Sequence, residues 1–277
     1  MRDENQDSFL VVDLDGQTLA GTQENAESGP LEFTLSDDGA ILLVADGLGG
    51  RAGGAKASAM AVSAVREVMV DSAESRGTTA AELVRRVLRS LDHANAMIHE
   101  EGGRSEESRG MGTTATLAGL LGDTVYVAQV GDSRAYLVRG SSVGRLTRDQ
   151  SLVQDLIDSG VLSEDDAHAV PNNVILQALG TGPTVQPAVT FHELRRGDVV
   201  LLCSDGLHGL MSDAEICAEV ARAADCVTLC GALIDLANER GGPDNITVVA
   251  ARVVGDGVEE PGESDTVERS TYEPPSA

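Results

Sequence analysis

Ile41-Leu42-Leu43-Val44-Ala45-Asp46-Gly47-Leu48-Gly49-Gly50 joins five consecutive apolar residues to an aspartate and a glycine-rich turn. Such a run, bounded by turn residues, has the pattern of a strand buried on both faces, and it leaves Asp46 at the strand's end. Two other stretches share this design. Val199 to Cys203 leads into Ser204-Asp205-Gly206, and Gly242-Pro243-Asp244-Asn245 leads into the apolar Ile246 to Ala250. A fourth motif, Arg2-Asp3-Glu4-Asn5-Gln6-Asp7, stands before the strand-like Ser8 to Val12. Taken singly, Asp-Gly is ordinary turn chemistry. Together, strands ending side by side would gather the aspartates, and crowded carboxylates cannot all stay ionised without a positive neighbour. Oxygen ligands with no accompanying His or Cys select a hard cation such as Mg²⁺ or Mn²⁺.

Working outward, Gln17 to Pro30 is polar and reads as an exposed loop or hairpin insertion. Small and apolar residues recur at helical spacing from Ala55 to Met69. Thr79-Ala80-Ala81-Glu82 is a capping-box signature that opens a second helix, with Leu83, Val87, Leu91, Ala94 and Ile98 on one face. Thr114 to Leu120, Thr124 to Val130 and Arg134 to Val138 read as three strands of an antiparallel meander. Between Thr147 and Leu179 the pattern breaks into short helices, Ser151 to Ile157 and Ser163 to Ala169, which together predict a small helical flap. Val185 to Leu194 and Asp198 to Cys203 resume the sheet. Ser212-Asp213-Ala214-Glu215 caps one more helix and Val227 to Glu239 forms the last, before a final strand over Asn245 to Val254. The sum is an α+β domain over residues 1–254: a four-layer α-β-β-α sandwich of two antiparallel sheets flanked by helix pairs. Residues 255–277, rich in Pro, Glu, Asp and Ser, predict an acidic disordered tail.

Composition narrows the function. The 277 residues carry 42% hydrophobic residues, enough for a buried core, but only 2% aromatics and no Trp. Base-stacking platforms are therefore scarce, and a formal charge of -25 without a Lys/Arg cluster argues against nucleic acid and against an anionic membrane surface. No apolar stretch is long enough to span a bilayer and no signal core follows the N-terminus, so a cytoplasmic protein is expected. The four cysteines suit that compartment as small buried hydrophobes; Cys226 and Cys230, at helical i, i+4 spacing, lack partner ligands for a metal. His93, His99, His168 and His192 lie away from the motifs. His208, just after Asp205-Gly206-Leu207, either faces the cleft or packs beside it.

Six motifs, in order, carry a resemblance: Arg2-x-x-Asn5-Gln6-Asp7, Asp46-Gly47-x-Gly49-Gly50, Gly112-Thr113-Thr114, Gly131-Asp132-Ser133-Arg134-x-Tyr136, Ser204-Asp205-Gly206-Leu207 and Asp244-Asn245-Ile246-Thr247. From Arg2 to about Val254 the chain resembles the metal-dependent protein serine/threonine phosphatases of the PPM, or type 2C, family, in their bacterial form. The resemblance implies two Mn²⁺ or Mg²⁺ ions and a weaker third. By it, Asp46 bridges the two metals, the Gly47 carbonyl ligates one, Asp205 and Asp244 hold the other, and Asp7 acts through metal-bound water. Arg2 grips the substrate phosphate, Asp132 helps hold the third ion, and a metal-bridging water is the nucleophile. It further implies phosphoprotein substrates, opposition to a bacterial Ser/Thr kinase, and a monomer. Three departures stand out. Leu48 occupies a position where many relatives carry a His that acts as general acid. Gly209 stands where relatives carry an acidic residue that would help at the third ion. Arg2 follows the initiator directly, so an N-terminal strand is expected to be missing and Arg2 to be loosely held. The alternative is a catalytically weak or inactive module that keeps the fold to bind a signalling partner.

Overall fold

The computed structural model describes residues 4–15, 17–21, 32–49, 53–71, 78–106, 108–163, 166, 174–262 and 265–272. The larger sheet begins with β1 (Asp7–Asp13), β2 (Gln17–Gly21) and the nine-residue β3 (Ala40–Leu48). Two helices follow, α1 (Gly53–Arg66), ending in a π-helical turn over Glu67–Asp71, and α2 (Ala80–Gly102). The short β4 (Gly112–Thr113) pairs with the end of β3, while β5 (Ala115–Leu121) and β6 (Thr124–Val130) extend the sheet. Next come β7 (Arg134–Arg139), β8 (Ser142–Arg145), α3 (Leu152–Asp158), β9 (Ala188–Glu193) and β10 (Val199–Cys203). The one-turn α4 (Asp205–His208), α5 (Asp213–Arg222), α6 (Cys226–Glu239), β11 (Val248–Arg252) and β12 (Ser270–Thr271) complete the order. One sheet runs β12-β9-β6-β5-β3-β1-β2, the other β11-β10-β7-β8, and all pairings are antiparallel.

Strand periodicity explains the four layers. Ile41, Leu43 and Ala45 of β3 pack under α1 and α2, whereas Leu42 and Val44 point into the space between the sheets. On β10, Val200 and Leu202 meet them there, and Val199, Leu201 and Cys203 face α5 and α6. A strand buried on both faces cannot alternate with polar residues, which is why both runs are wholly apolar. Each such side chain is worth about 1.5–3 kcal/mol of burial. The helices start where their caps say: Thr79 and Ser212 each accept from the N3 amide while Glu82 and Glu215 reach back to the cap.

Two expectations change. β5 and β6 pair, but β7 leaves the meander and joins β10 and β8 in the other sheet. The Gly131-Asp132-Ser133 connection is therefore a crossing between sheets and not a hairpin. The flap contributes α3, while the helix expected over Ser163 to Ala169 falls largely outside the described residues. Likewise, the insertion expected over Gln17 to Pro30 contributes β2, paired to β1, and its remainder lies outside them.

The tail is the larger correction. Ser270 and Thr271 add a strand to β9, opposite Phe191 and Thr190, and the Tyr272 amide donates to the Val189 carbonyl at 3.0 Å. The Tyr272 ring lies edge-on to Tyr126 and Phe191, with centroids 5.6 and 6.0 Å away. Val258 and Val267 join the core between the sheets, and Gly144 of β8 makes room for Val267, whose Cγ1 would stand 2.3 Å from a Cβ there. Arg195 pairs with Asp265, and Arg196 with Asp256 and Glu260. Three apolar anchors spaced through an acidic stretch hold it, and arginines on the body answer part of its charge.

Candidate metal centre

Asp7 and Asp46 are direct cross-strand partners where β1 begins and β3 nears its end. Like charges so opposed destabilise an antiparallel pair, yet Asp7 is only 3% exposed and Asp46 is half-buried. Local bonding fixes both. The Asp7 amide donates to Asn5 Oδ1, and Asp7 Oδ2 accepts from Ser204 Oγ at 2.7 Å. The Asp46 amide donates to Thr114 Oγ1, and its carbonyl accepts from the Thr114 amide and from Thr113 Oγ1. Asn245, beside Asp244, braces the N-terminal segment: its Oδ1 accepts from the Gln6 amide at 2.9 Å and its Nδ2 donates to the Glu4 carbonyl at 3.1 Å.

The glycines act through absence of a side chain. A Cβ on Gly47 would lie 2.3 Å from the Gly54 carbonyl oxygen and 2.5 Å from that of Gln6. One on Gly206 would lie 2.0 Å from the Asn245 carbonyl oxygen. Backbones from α1, the segment just before β1 and the Asp244 turn thus approach the two Asp-Gly steps more closely than any larger residue permits.

Electrostatically, the carboxylates report one another. Burial raises the Asp7 pKa, and the charges of Asp205 and Asp244 raise it further against the hydrogen bonds from Ser204 and Thr247. Asp46 is pushed far above the carboxylate range by desolvation first, then by Asp7, Asp205 and Asp132. Burial and Asp205 raise Asp132 to about 7. Oδ1 of Asp7 and Oδ1 of Asp132 are buried without a hydrogen-bond partner. The structure therefore brings Asp7, Asp46, Asp132, Asp205 and Asp244 into mutual influence, with the Gly47 carbonyl on the same strand end. Among the described residues no three His, Cys, Asp or Glu side chains close into a ready-made cage. A hard ion that keeps several of its waters needs only one or two carboxylates, so an all-oxygen set of this kind fits Mg²⁺ or Mn²⁺ without one.

Arg2 lies outside the described residues. His208 sits at the end of α4, where desolvation lowers its pKa, and its Nε2 lies 3.0 Å from the Asp132 carbonyl oxygen. Leu48 is half-buried and pairs with Gly112, so no imidazole follows Asp46-Gly47. His99 and His192 bond to the Gly180 and Glu193 carbonyls, and His93 lies 3.7 Å from Glu67, all away from the aspartates. Ser204, Thr247 and Arg134 stand inside the quoted motifs, but their sequence positions did not reveal their roles beside Asp7 and, for Arg134, its 2.6 Å pair with Asp149. Asp149, outside every motif, carried no signal.

With this geometry in view, the family profile for "Protein phosphatase 2C" matches residues 30–238. The chain belongs to the protein phosphatase 2C family. Among its relatives, the serine/threonine protein phosphatase PstP of Mycobacterium tuberculosis is 36% identical over 214 residues, 77% of this chain and 40% of PstP. Protein phosphatase PhpP of Streptococcus pneumoniae is 36% identical over 209 residues, 75% of this chain and 83% of PhpP. The chain thus spans less than half of PstP but most of PhpP. A solved structure of the PstP catalytic domain in complex with two manganese ions superposes with a TM-score of 0.72 at 32% identity, covering 92% of this chain and 94% of that one. The four-layer sandwich is the 2C fold.

Proposed function

We propose that this chain hydrolyses phosphoserine and phosphothreonine in proteins with the aid of two Mn²⁺ or Mg²⁺ ions. The observation that carries the reading is the opposed Asp7–Asp46 pair, held by hydrogen bonds in a place where its own charges repel. Family membership and the two manganese ions of the PstP relative support it.

In this reading Asp46 and the Gly47 carbonyl serve one ion, Asp46 with Asp205 and Asp244 the other, and Asp132 a weaker third. Such ions, when bound, supply charge neutralisation at the phosphate and a lowered water pKa. The protein's own part is positional. Ser204 orients Asp7 so that its free Oδ1 can accept a proton-bearing partner, and Thr113 with Thr114 fixes the Asp46 backbone. Arg2, through a bidentate guanidinium, is the proposed phosphate clamp. With Leu48 in place of an imidazole, protonation of the leaving serine or threonine oxygen falls to solvent held by the acidic cluster.

A phosphoprotein substrate, an opposing Ser/Thr kinase, a monomeric state and a cytoplasmic location complete the proposal. Among the described residues no helix is long and apolar enough to cross a membrane, and the four cysteines are unbridged. The test is hydrolysis of a phosphothreonine peptide by the full chain, expected only with added Mn²⁺ or Mg²⁺ and abolished by EDTA. Equal turnover in EDTA would overturn it.

A further inference from the structure

His208 is the feature that the proposed chemistry does not use. It closes α4, the single turn that Asp205 opens, and the Gly209 amide donates to the Asp205 carbonyl at 2.8 Å, which ties the two ends of the turn together. Its Nε2 lies 3.0 Å from the carbonyl oxygen of Asp132. A carbonyl can only accept, which assigns the proton to Nε2.

The turn that carries Asp132 is otherwise held by its neighbours. Gly131, at φ +100, is walled by Thr114, and it exchanges bonds with Gln150: its amide donates to Oε1 at 2.7 Å and its carbonyl accepts from the Gln150 amide at 3.0 Å. Ser133 is bonded through Oγ to Thr114 at 2.7 Å and through its carbonyl to Thr116 Oγ1 at 2.7 Å. Between them, the Asp132 peptide sets where its carboxylate points, and that carboxylate has a buried, unpartnered Oδ1.

We infer that His208 is a positioning residue: by donating to the Asp132 carbonyl it couples the Asp132 turn to the Asp205 helix and so fixes the spacing of these two carboxylates. This inference rests on the phosphatase reading above. The apolar Leu207 and the side-chain-free Gly209 leave His208 as the one residue of the Leu207–Gly209 step with a side-chain donor.

Atom-specific replacement tests it in the full chain. His208→Gln places an amide nitrogen where Nε2 stands, His208→Asn reaches only the Nδ1 position, and His208→Leu removes the donor while keeping an apolar body. Calorimetric titration with Mn²⁺ and the separation of kcat from KM on p-nitrophenyl phosphate are read alongside the melting temperature. The Leu and Asn variants are expected to weaken the weakest Mn²⁺ step and kcat by about tenfold, the scale of one hydrogen bond, with KM unchanged. The Gln variant should stay within about twofold of the parent. Wild-type Mn²⁺ uptake in the Leu variant, or a Gln variant as impaired as Leu, overturns the inference even if the Leu protein is unstable. Asp46→Ala separates the two ideas: if it is inactive while His208→Leu behaves as wild type, only the positioning role fails. Metal-independent turnover by the parent would remove the phosphatase reading itself.

Discussion

The paired strands β7 and β10 have buried carboxylates at both ends, and the two ends treat them in opposite ways. At the Val199 end, Asp198 is fully buried, yet Arg139 grips both its oxygens at 2.9 and 2.7 Å and the Arg195 amide adds a third bond at 2.8 Å. At the Cys203 end, the matching arginine, Arg134, is committed to Asp149. Among the described residues, Asp7, Asp46 and Asp132 have no guanidinium of their own: burial raises the pKa of all three, and their acidic neighbours raise it further. A fold that can neutralise an interior carboxylate with a guanidinium does so where the charge is structural. Where a removable cation is to bind, the guanidinium is placed one residue shell away.

Breaking the satisfied end should have the largest effect on stability. Arg139→Met leaves Asp198 buried with the Arg195 amide but no counter-charge, a change expected to cost about 3–5 kcal/mol in urea unfolding. Its kcat per folded molecule should not change, because Arg139 is remote from the centre. At the unsatisfied end the consequence falls on activity: Asp46→Ala should lower Mn²⁺-dependent hydrolysis by about 10²–10³-fold, measured on a phosphothreonine peptide.

The comparison sharpens with pH in metal-free protein. Asp132 rises from an ordinary 3.8 to about 7 on folding, and Asp7 and Asp46 shift the same way. In that window the folded chain holds protons that the unfolded chain has released, so stability falls as pH climbs from about 4 through 7. Asp46→Asn should flatten the slope in EDTA and raise the melting temperature near neutral pH, and added Mn²⁺ should stabilise the parent far more than this variant. The smallest effect lies on the tail: Tyr272→Ala, which deletes two edge-on ring contacts, is expected to cost ~1–2 kcal/mol by thermal unfolding.

Much of this was legible because the decisive signals are local. Five apolar residues before Asp46, and five before Ser204, could hardly be other than central strands, and an aspartate at such an end lies where another strand's aspartate can meet it. The capping boxes at Thr79 and Ser212 were equally self-contained. The crossing of β7 was not legible, since Gly131-Asp132-Ser133 satisfies a hairpin and a sheet-to-sheet step alike, and burial on both faces removes the alternation that would tell them apart. Nor was the role of Ser204 or Thr247, which depends on Asp7 arriving from the far end of the chain. The tail was misread because Val258, Val267 and Tyr272 are diluted among acidic residues, and their partners, Gly144, Tyr126 and Phe191, are remote in sequence.

That last feature bears on how the protein can be handled. Proteolytic trimming at Gly255 would strip the cover from Gly144 and from the ring pair Tyr126–Phe191, and would bare the outer edge of β9. A shortened protein of this kind should self-associate on storage, whereas a fusion partner attached after Tyr272 would leave the sandwich sealed.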